Sequence, residues 1–271
     1  MVLTYNKKKS EFFILIMKNL CCYFLYTYVS KFPEIASIIS KKNEVTNGIH
    51  YQNCDSFKNT NLISKSDDVH SILKTCAKIA HYIGDIIKDI EKNPEFSEDS
   101  FCKYIGFWFY DMLNSNGQSN YSTLLAKFFT EIISLNPCKS YQINLTADIY
   151  QELKNIYNIY DDFNKFKEQS TNGSDKTCTI GRTCVTIYEE NVDSCINNYK
   201  NGFCWNLINF KYEYDNHKTK VKSCWNDMKY LKPIKTDLAA IISLSFVLMA
   251  LISFILLYLY KVCNKKFLNI C

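Results

Sequence analysis

The 271 residues carry 32 basic against 27 acidic side chains, and 20 Tyr and 18 Phe against only 7 Gly and 4 Pro. A formal charge of +5 demands no nucleic acid, and the sole arginine, Arg182, leaves little of the bidentate chemistry that phosphate and base recognition favour. So few chain breakers favour long helices over a many-turned β architecture. Lys, Asn, Ile, Tyr and Phe abound, a bias toward AT-rich codons that describes a genome as well as a function.

Residues 1–30 form an apolar extension. Lys7, Lys8 and Lys9 precede Phe12–Met17, Lys18-Asn19 interrupts, and Leu20–Val29 resumes the apolar run. This reads as signal-like or as a signal anchor, with no small-residue cleavage site after it; a packed helix is the alternative. From Asp67 to Ile90 the apolar residues Val69, Leu73, Cys76, Ala80, Ile83, Ile87 and Ile90 step by three and four, which predicts an amphipathic helix ended by Pro94. Ser64 and Asp67 offer it a capping box. A second helix is expected over Phe101–Leu113, apolar nearly all round and so buried. A third runs from Tyr121 to Leu135, with Leu125, Phe128, Phe129, Ile132 and Ile133 inward, and stops at Pro137. The fourth carries Ile149, Leu153, Ile156, Tyr160 and Phe163, a short heptad seam that favours packing within the chain over a dimeric coiled coil.

A polar linker follows at 169–177, and a cysteine-rich stem and stalk at 178–237, within which Val185, Tyr188, Val192, Cys195 and Tyr199 suggest one more helix. Leu238–Tyr260 then contains no charged residue, and at 1.5 Å per residue it is long enough for the roughly 30 Å hydrocarbon core. It reads as a single transmembrane helix, with Tyr258 and Tyr260 at the interface and a short basic tail at 261–271. Cys263 lies three residues beyond, where membrane-proximal thiols can be palmitoylated.

Of the 13 cysteines, nine lie between the extension and the anchor: Cys54, Cys76, Cys102, Cys138, Cys178, Cys184, Cys195, Cys204 and Cys224. No C-x-x-C occurs, and the four histidines do not cluster with these thiols in zinc-site spacing. The set reads as candidate disulfides of an oxidising compartment, with reduced core thiols as the alternative. Nine is odd, so one thiol stays free or pairs outside the group. Cys204-Trp205-Asn206 recurs as Cys224-Trp225-Asn226, and the closely spaced thiols of Cys178–Cys224, after a polar linker and with few apolar residues, suggest a separately cross-linked stem.

The chain holds no H-E-x-x-H, Gly-rich phosphate loop or G-x-S-x-G elbow. His70 and His81 are too far apart along one helix to share a metal, and the neighbours Asp161-Asp162 and Glu189-Glu190 diverge by about 100° on a helix. No enzyme, cofactor or small-molecule substrate is expected. Sequons at Asn120, Asn144 and Asn172 permit glycosylation.

Cys102-Lys-Tyr-Ile-Gly-Phe-Trp-Phe-Tyr-Asp111 is the most distinctive string, a buried aromatic helix with a thiol near its start. It resembles the C-x-Y-apolar-x-aromatic-W-apolar-Y-D signature of the Plasmodium interspersed repeat (PIR, vir-like) proteins, and Cys102, Tyr104, Trp108, Tyr110 and Asp111 are the residues that match. The order of Cys54, Cys76, Cys138, the stem and the anchor is similar too. The resemblance covers about Phe32–Tyr260. It implies a variant surface or exported membrane antigen of a malaria parasite, at the infected red-cell surface or in exported membranes, with its tail cytoplasmic. The function implied is antigenic variation, immune evasion or adhesion, with the lipid bilayer and an unknown host-cell receptor or serum protein as partners. The alternative is an intracellular membrane-anchored structural or trafficking protein. The reading is thus mainly α: a helical disulfide-bonded ectodomain, its core at 31–168, with a single C-terminal transmembrane helix.

Overall fold

Helices dominate this computed structural model, which describes residues 26–62, 67–115, 120–141, 143, 145–171, 178–197, 201–221, 228–234 and 253; among them no strand occurs. The chain divides into two compact units, Met1–Pro233 and Ile234–Cys271. Of the second, only Ile234 and Ser253 are described, so the apolar segment Leu238–Tyr260 and Cys263 lie outside the described residues. Among the described residues no helix is long and apolar enough to cross a membrane.

The first unit is built around a helix that buries itself on every side. This is α4 (Glu98–Ser115), counting α1 (Phe32–Ser40), α2 (Gly48–Asn61) and α3 (Asp67–Glu91) before it. Its start is encoded by two serines: the Ser100 amide donates to Ser97 Oγ (3.3 Å) and the Ser97 amide to Ser100 Oγ (3.1 Å), a reciprocal capping box. Glu98 and Asp99 add negative charge at the positive end of the helix dipole. Residues 101–109 are then buried without a break, so α4 has no solvent face there. It packs on α1, α3 and α5 (Tyr121–Glu131).

The Asp67–Glu91 helix matches the expected span, but its buried face is set differently. Ile72, Leu73, Cys76, Ile79, Ile86 and Ile90 are in the core, whereas Ile83 and Ile87 are only half-buried. α3 packs on α1, α2 and α4 together, so its apolar stripe is broader than a single seam and turned toward Ile79 and Ile86. In α2 only Cys54 and Phe57 are buried. Too polar to hold itself in place by burial alone, it is tied to α3 by the Cys54–Cys76 disulfide (Cα–Cα 5.9 Å).

α5 ends earlier than Leu135. Ile132 adopts an extended ψ of 90°, which turns Ile133 out to 69% exposure, against the expectation that it faces inward. A 3-10 stretch, Ile133–Tyr141, follows with Pro137 inside it, and the Cys102–Cys138 disulfide fastens it to α4. Pro137 lacks an N–H to donate, yet a tight turn of 3-10 accommodates it where an α-helix would not.

α6 (Ala147–Thr171) runs past the expected heptad seam and through residues 169–171 of the expected linker. Leu153, Ile156, Tyr160 and Phe163 are buried as the seam requires, and Ile149 is half-buried. On α6 pack α7 (Thr179–Asn197) and α8 (Asn201–Lys218). These two occupy the region read as a stem and stalk, but they belong to the same compact unit as the core. The reason is apolar: Tyr188, Val192, Phe203, Leu207, Phe210 and Tyr214 are all buried, and α6 offers them a second apolar face. Lys211–Lys218, expected in a stalk, is the last part of α8. Cys195–Cys204 closes the α7–α8 connection across a sequence separation of nine, and Cys178 is disulfide-bonded too. Cys224 lies outside the described residues.

Cys184 departs from the expected set of bridges, being a buried free thiol. Its Sγ faces the Ile159 carbonyl at 3.9 Å across the α6–α7 seam. The odd count of nine is consistent with that.

α1 is the keystone between the halves. Phe32 sets its ring 5.6 Å from Tyr104 and 5.3 Å from Phe107, and Ile35 is wholly buried. Just before it, Tyr26 and Val29, which belong to the apolar extension by sequence, sit in the core.

Candidate functional site

The family-like string Cys102–Asp111 makes an interior rather than a surface. Cys102 is in its bridge, Tyr104 and Trp108 are buried, and the Phe109 and Phe128 rings stack at 4.6 Å. Gly106 is required by close packing: a Cβ there would come 2.9 Å from Ile143 Cδ1 and 3.3 Å from the Tyr121 hydroxyl, which donates to the Gly106 carbonyl at 3.0 Å. Asp111 gathers the Tyr150 hydroxyl and Lys154 Nζ from α6, the latter at 2.8 Å, so it joins the two helices. Burial raises the Tyr104 and Tyr150 hydroxyls above their ordinary range, and for Tyr150 the Asp111 carboxylate adds to it. This is a structural polar contact.

Other titratable groups among the described residues lie apart from this contact. Burial pushes the Cys184 thiol up to about 12, which leaves it protonated and unreactive at neutral pH. His81 meets not His70 but His50 of α2, their rings 5.5 Å apart; among the described residues no group of three or more metal-ligating side chains forms. Asp161 and Asp162 both face Lys165 at the surface.

What the structure does assemble is a cleft at the outer edge of α8. Gly202, Trp205, Asn206 and Asn209 line it from the helix, and Tyr26 and Ser30 from the segment that enters α1; its volume is about 100 Å³. Two interactions shape it. Asn206 is buried and its Nδ2 donates to the Tyr26 and Gly202 carbonyls, each at 2.9 Å, which locks the entering segment to the helix. Gly202 then lets the Tyr26 ring lie against the helix backbone, where a Cβ would fall 2.3 Å from ring carbon Cδ2. The Tyr26 hydroxyl donates to the Glu152 carboxylate on α6.

From the mouth of this cleft runs a stripe along α8. Trp205, Asn209, Tyr212 and Asn216 follow at steps of four, three and four, so they share one face. Trp205 is 48% and Tyr212 75% exposed. At 100° per residue, charged side chains flank it: Glu213 about 40° from Asn209 and Asp215 about 60° from Tyr212. The Cys204-Trp205-Asn206 string thus divides its work: sulfur in a bridge, amide in the cleft floor, indole at the surface.

The chain matches no protein-family model, no curated protein and no solved structure.

Proposed function

We propose that this protein is a membrane-anchored surface antigen of the PIR kind, displaying a helical, disulfide-bonded ectodomain as an interaction surface on or near the infected cell. The observation that carries the proposal is the cross-linking. Cys54–Cys76, Cys102–Cys138 and Cys195–Cys204 each join separate elements, and such bridges persist in oxidising compartments rather than in the reducing cytosol. The charge-free run Leu238–Tyr260 supplies the anchor, long enough to span a bilayer. The string Cys102–Asp111 supports the family reading by resemblance, and as the buried axis of the fold it would stay constant while surface residues vary. The tail after the anchor is then cytoplasmic.

The α8 stripe, with its exposed aromatics and amides, is the part of the surface best suited to contact. The reading is adhesion or immune evasion rather than catalysis. The test is an antibody against residues 32–235 applied to intact infected cells, followed by added protease. Surface labelling that protease removes supports the proposal. Labelling only after permeabilisation, with thiols of the described bridges reactive before reduction, rejects it in favour of an intracellular membrane protein.

A further inference from the structure

The α8 stripe is unusual in a chain with 32 basic and 27 acidic side chains, because the four residues of this face carry none and the exposed Glu213 stands at its edge. It offers two aromatic faces and two side-chain amides. Seven residues separate Trp205 from Tyr212, which sets the rings about 10 Å apart along the helix. The cleft beside Trp205 adds Ser30 and the rim of Asn206. At about 100 Å³ it has room for a few water molecules or the edge of one small ring, well short of the pockets of 300 Å³ or more that engulf drug-sized ligands.

These features select among ligands. The stripe residues themselves offer a charged ligand no counter-ion, and Glu213 at its edge repels an anionic one. A purely apolar one would leave Asn209, Asn216 and the cleft hydroxyl unpaired and would gain little on so narrow a face. A neutral sugar suits both parts: the C–H face of a pyranose stacks on the electron-rich face of an indole or phenol, and its hydroxyls pair with amides at the edge. Trp and Tyr are also rigid anchors that lose little rotamer freedom on contact.

We infer that the outer face of α8, from the Trp205 cleft to Tyr212, binds a neutral oligosaccharide, with one ring stacked on Trp205 and its edge in the cleft, and a second near Tyr212. This rests on the surface-display reading and names the class of its ligand. Asn206 acts as a positioning residue, because its amide is committed to the Tyr26 and Gly202 carbonyls.

The test uses the full chain with its disulfides intact, in a detergent without a sugar headgroup. Labelled lactose, N-acetyllactosamine and maltotriose serve as neutral probes, with sialyllactose and a heparin tetrasaccharide as charged ones. The expected result is saturable binding of at least one neutral probe. Trp205→Ala should weaken it about tenfold or more and Tyr212→Ala by a smaller factor, while Trp205→Phe retains most of it and the melting temperature stays unchanged in all three. No neutral probe bound at roughly 10 mM overturns the inference. So does binding that Trp205→Ala leaves intact, or preference for the charged probes. Binding that appears only when residues 1–25 are deleted also overturns it, since the chain's own extension would then cover the face. Failure here with positive surface labelling removes only the ligand; sugar binding without surface labelling removes only the display.

Discussion

The two halves of the helical unit bury aromatic residues to a similar degree but are fastened in different ways. In the N-terminal half, bridges tie a polar helix and a 3-10 stretch to the buried helices α3 and α4, closing loops of 22 and 36 residues. In the C-terminal half Cys195–Cys204 spans only nine positions, Cys178 just before α7 is also disulfide-bonded, and α7 lies on α6 through apolar contact with a free thiol in the seam. Covalent links thus occur in both halves but differ in what they fasten: α2 buries only two side chains, whereas α7 and α8 bring their own apolar faces. A disulfide compensates for a small buried area at α2, whereas α7 and α8 carry Cys195–Cys204 in addition to full apolar faces.

The largest expected effect tests whether the N-terminal half has an interior in the strict sense. Ile86 is fully buried on α3, and Ile86→Asp would bury a carboxylate with no partner, at a cost of about 3 kcal/mol or more. Lys88→Asp, on the exposed side of the same helix, should cost about 0.5 kcal/mol or less. Equal shifts in a denaturant midpoint would show that the face of α3 is set wrongly.

Next in size is the contrast between the bridges themselves. By loop closure alone, losing Cys102–Cys138 should cost about 3.8 kcal/mol and losing Cys195–Cys204 about 2.6 kcal/mol. Packing should widen that gap, because the 3-10 stretch depends on its bridge while α7 and α8 do not. Paired Cys→Ala variants compared by chemical denaturation would measure it. A larger loss at Cys195–Cys204 would reverse the comparison.

A smaller effect reports on the joint between the halves. Gly202→Ala drives a Cβ into the Tyr26 ring and forces the entering segment off α8, at about 1–3 kcal/mol. Gly106→Ala meets the flexible end of Ile143 instead and should cost less. If Gly106→Ala proves the worse of the two in thermal unfolding, the Tyr26 segment is not seated as described.

Legibility in the sequence followed the same division. α3 could be read because 25 residues repeat one apolar period, and α4 because an aromatic run without polar interruption has to be buried. α2 escaped notice since its place is owed to one cysteine, and the pairing of cysteines is a tertiary fact. α5 was expected to end at Pro137, but its end is set at Ile132, where the chain turns to bring Cys138 to Cys102. The site was hidden for a related reason. Trp205 and Tyr212 face solvent while Phe203, Phe210 and Tyr214 face the core, so aromatic residues encircle α8 and erase the period that reveals a helix. A charge-free stripe at steps of four, three and four was the available signal, and it acquires meaning only once the span is known to be helical.

The smallest expected effect is a pH dependence confined to the C-terminal half. His217, in the last turn of α8, meets the edges of Phe163 and Phe166 at 5.8 and 5.3 Å, and its Nε2 lies 2.8 Å from Ser170 Oγ. Burial lowers its pKa below the ordinary 6.5, and Lys167 and Lys220 nearby lower it further. A folded-state pKa below the unfolded one means that the unfolded chain binds the proton more readily. Stability from this group is therefore complete above 6.5 and is lost as pH falls through 6.5 toward the folded value. Glu213, on the same helix, acts with the opposite sign: burial raises its pKa above 4.5, so its ionisation costs stability as pH rises through its own titration. The two are separated by substitution. His217→Gln keeps a hydrogen-bonding group for Ser170 and removes the titration, so it should flatten the loss of stability expected of the parent chain between about pH 7 and 5.5. Because His217 is only partly buried, the difference should be well under the effect of Gly202→Ala. Parallel stability profiles for parent and variant over that range would mean that the histidine is solvated in the folded protein and that the end of α8 is open.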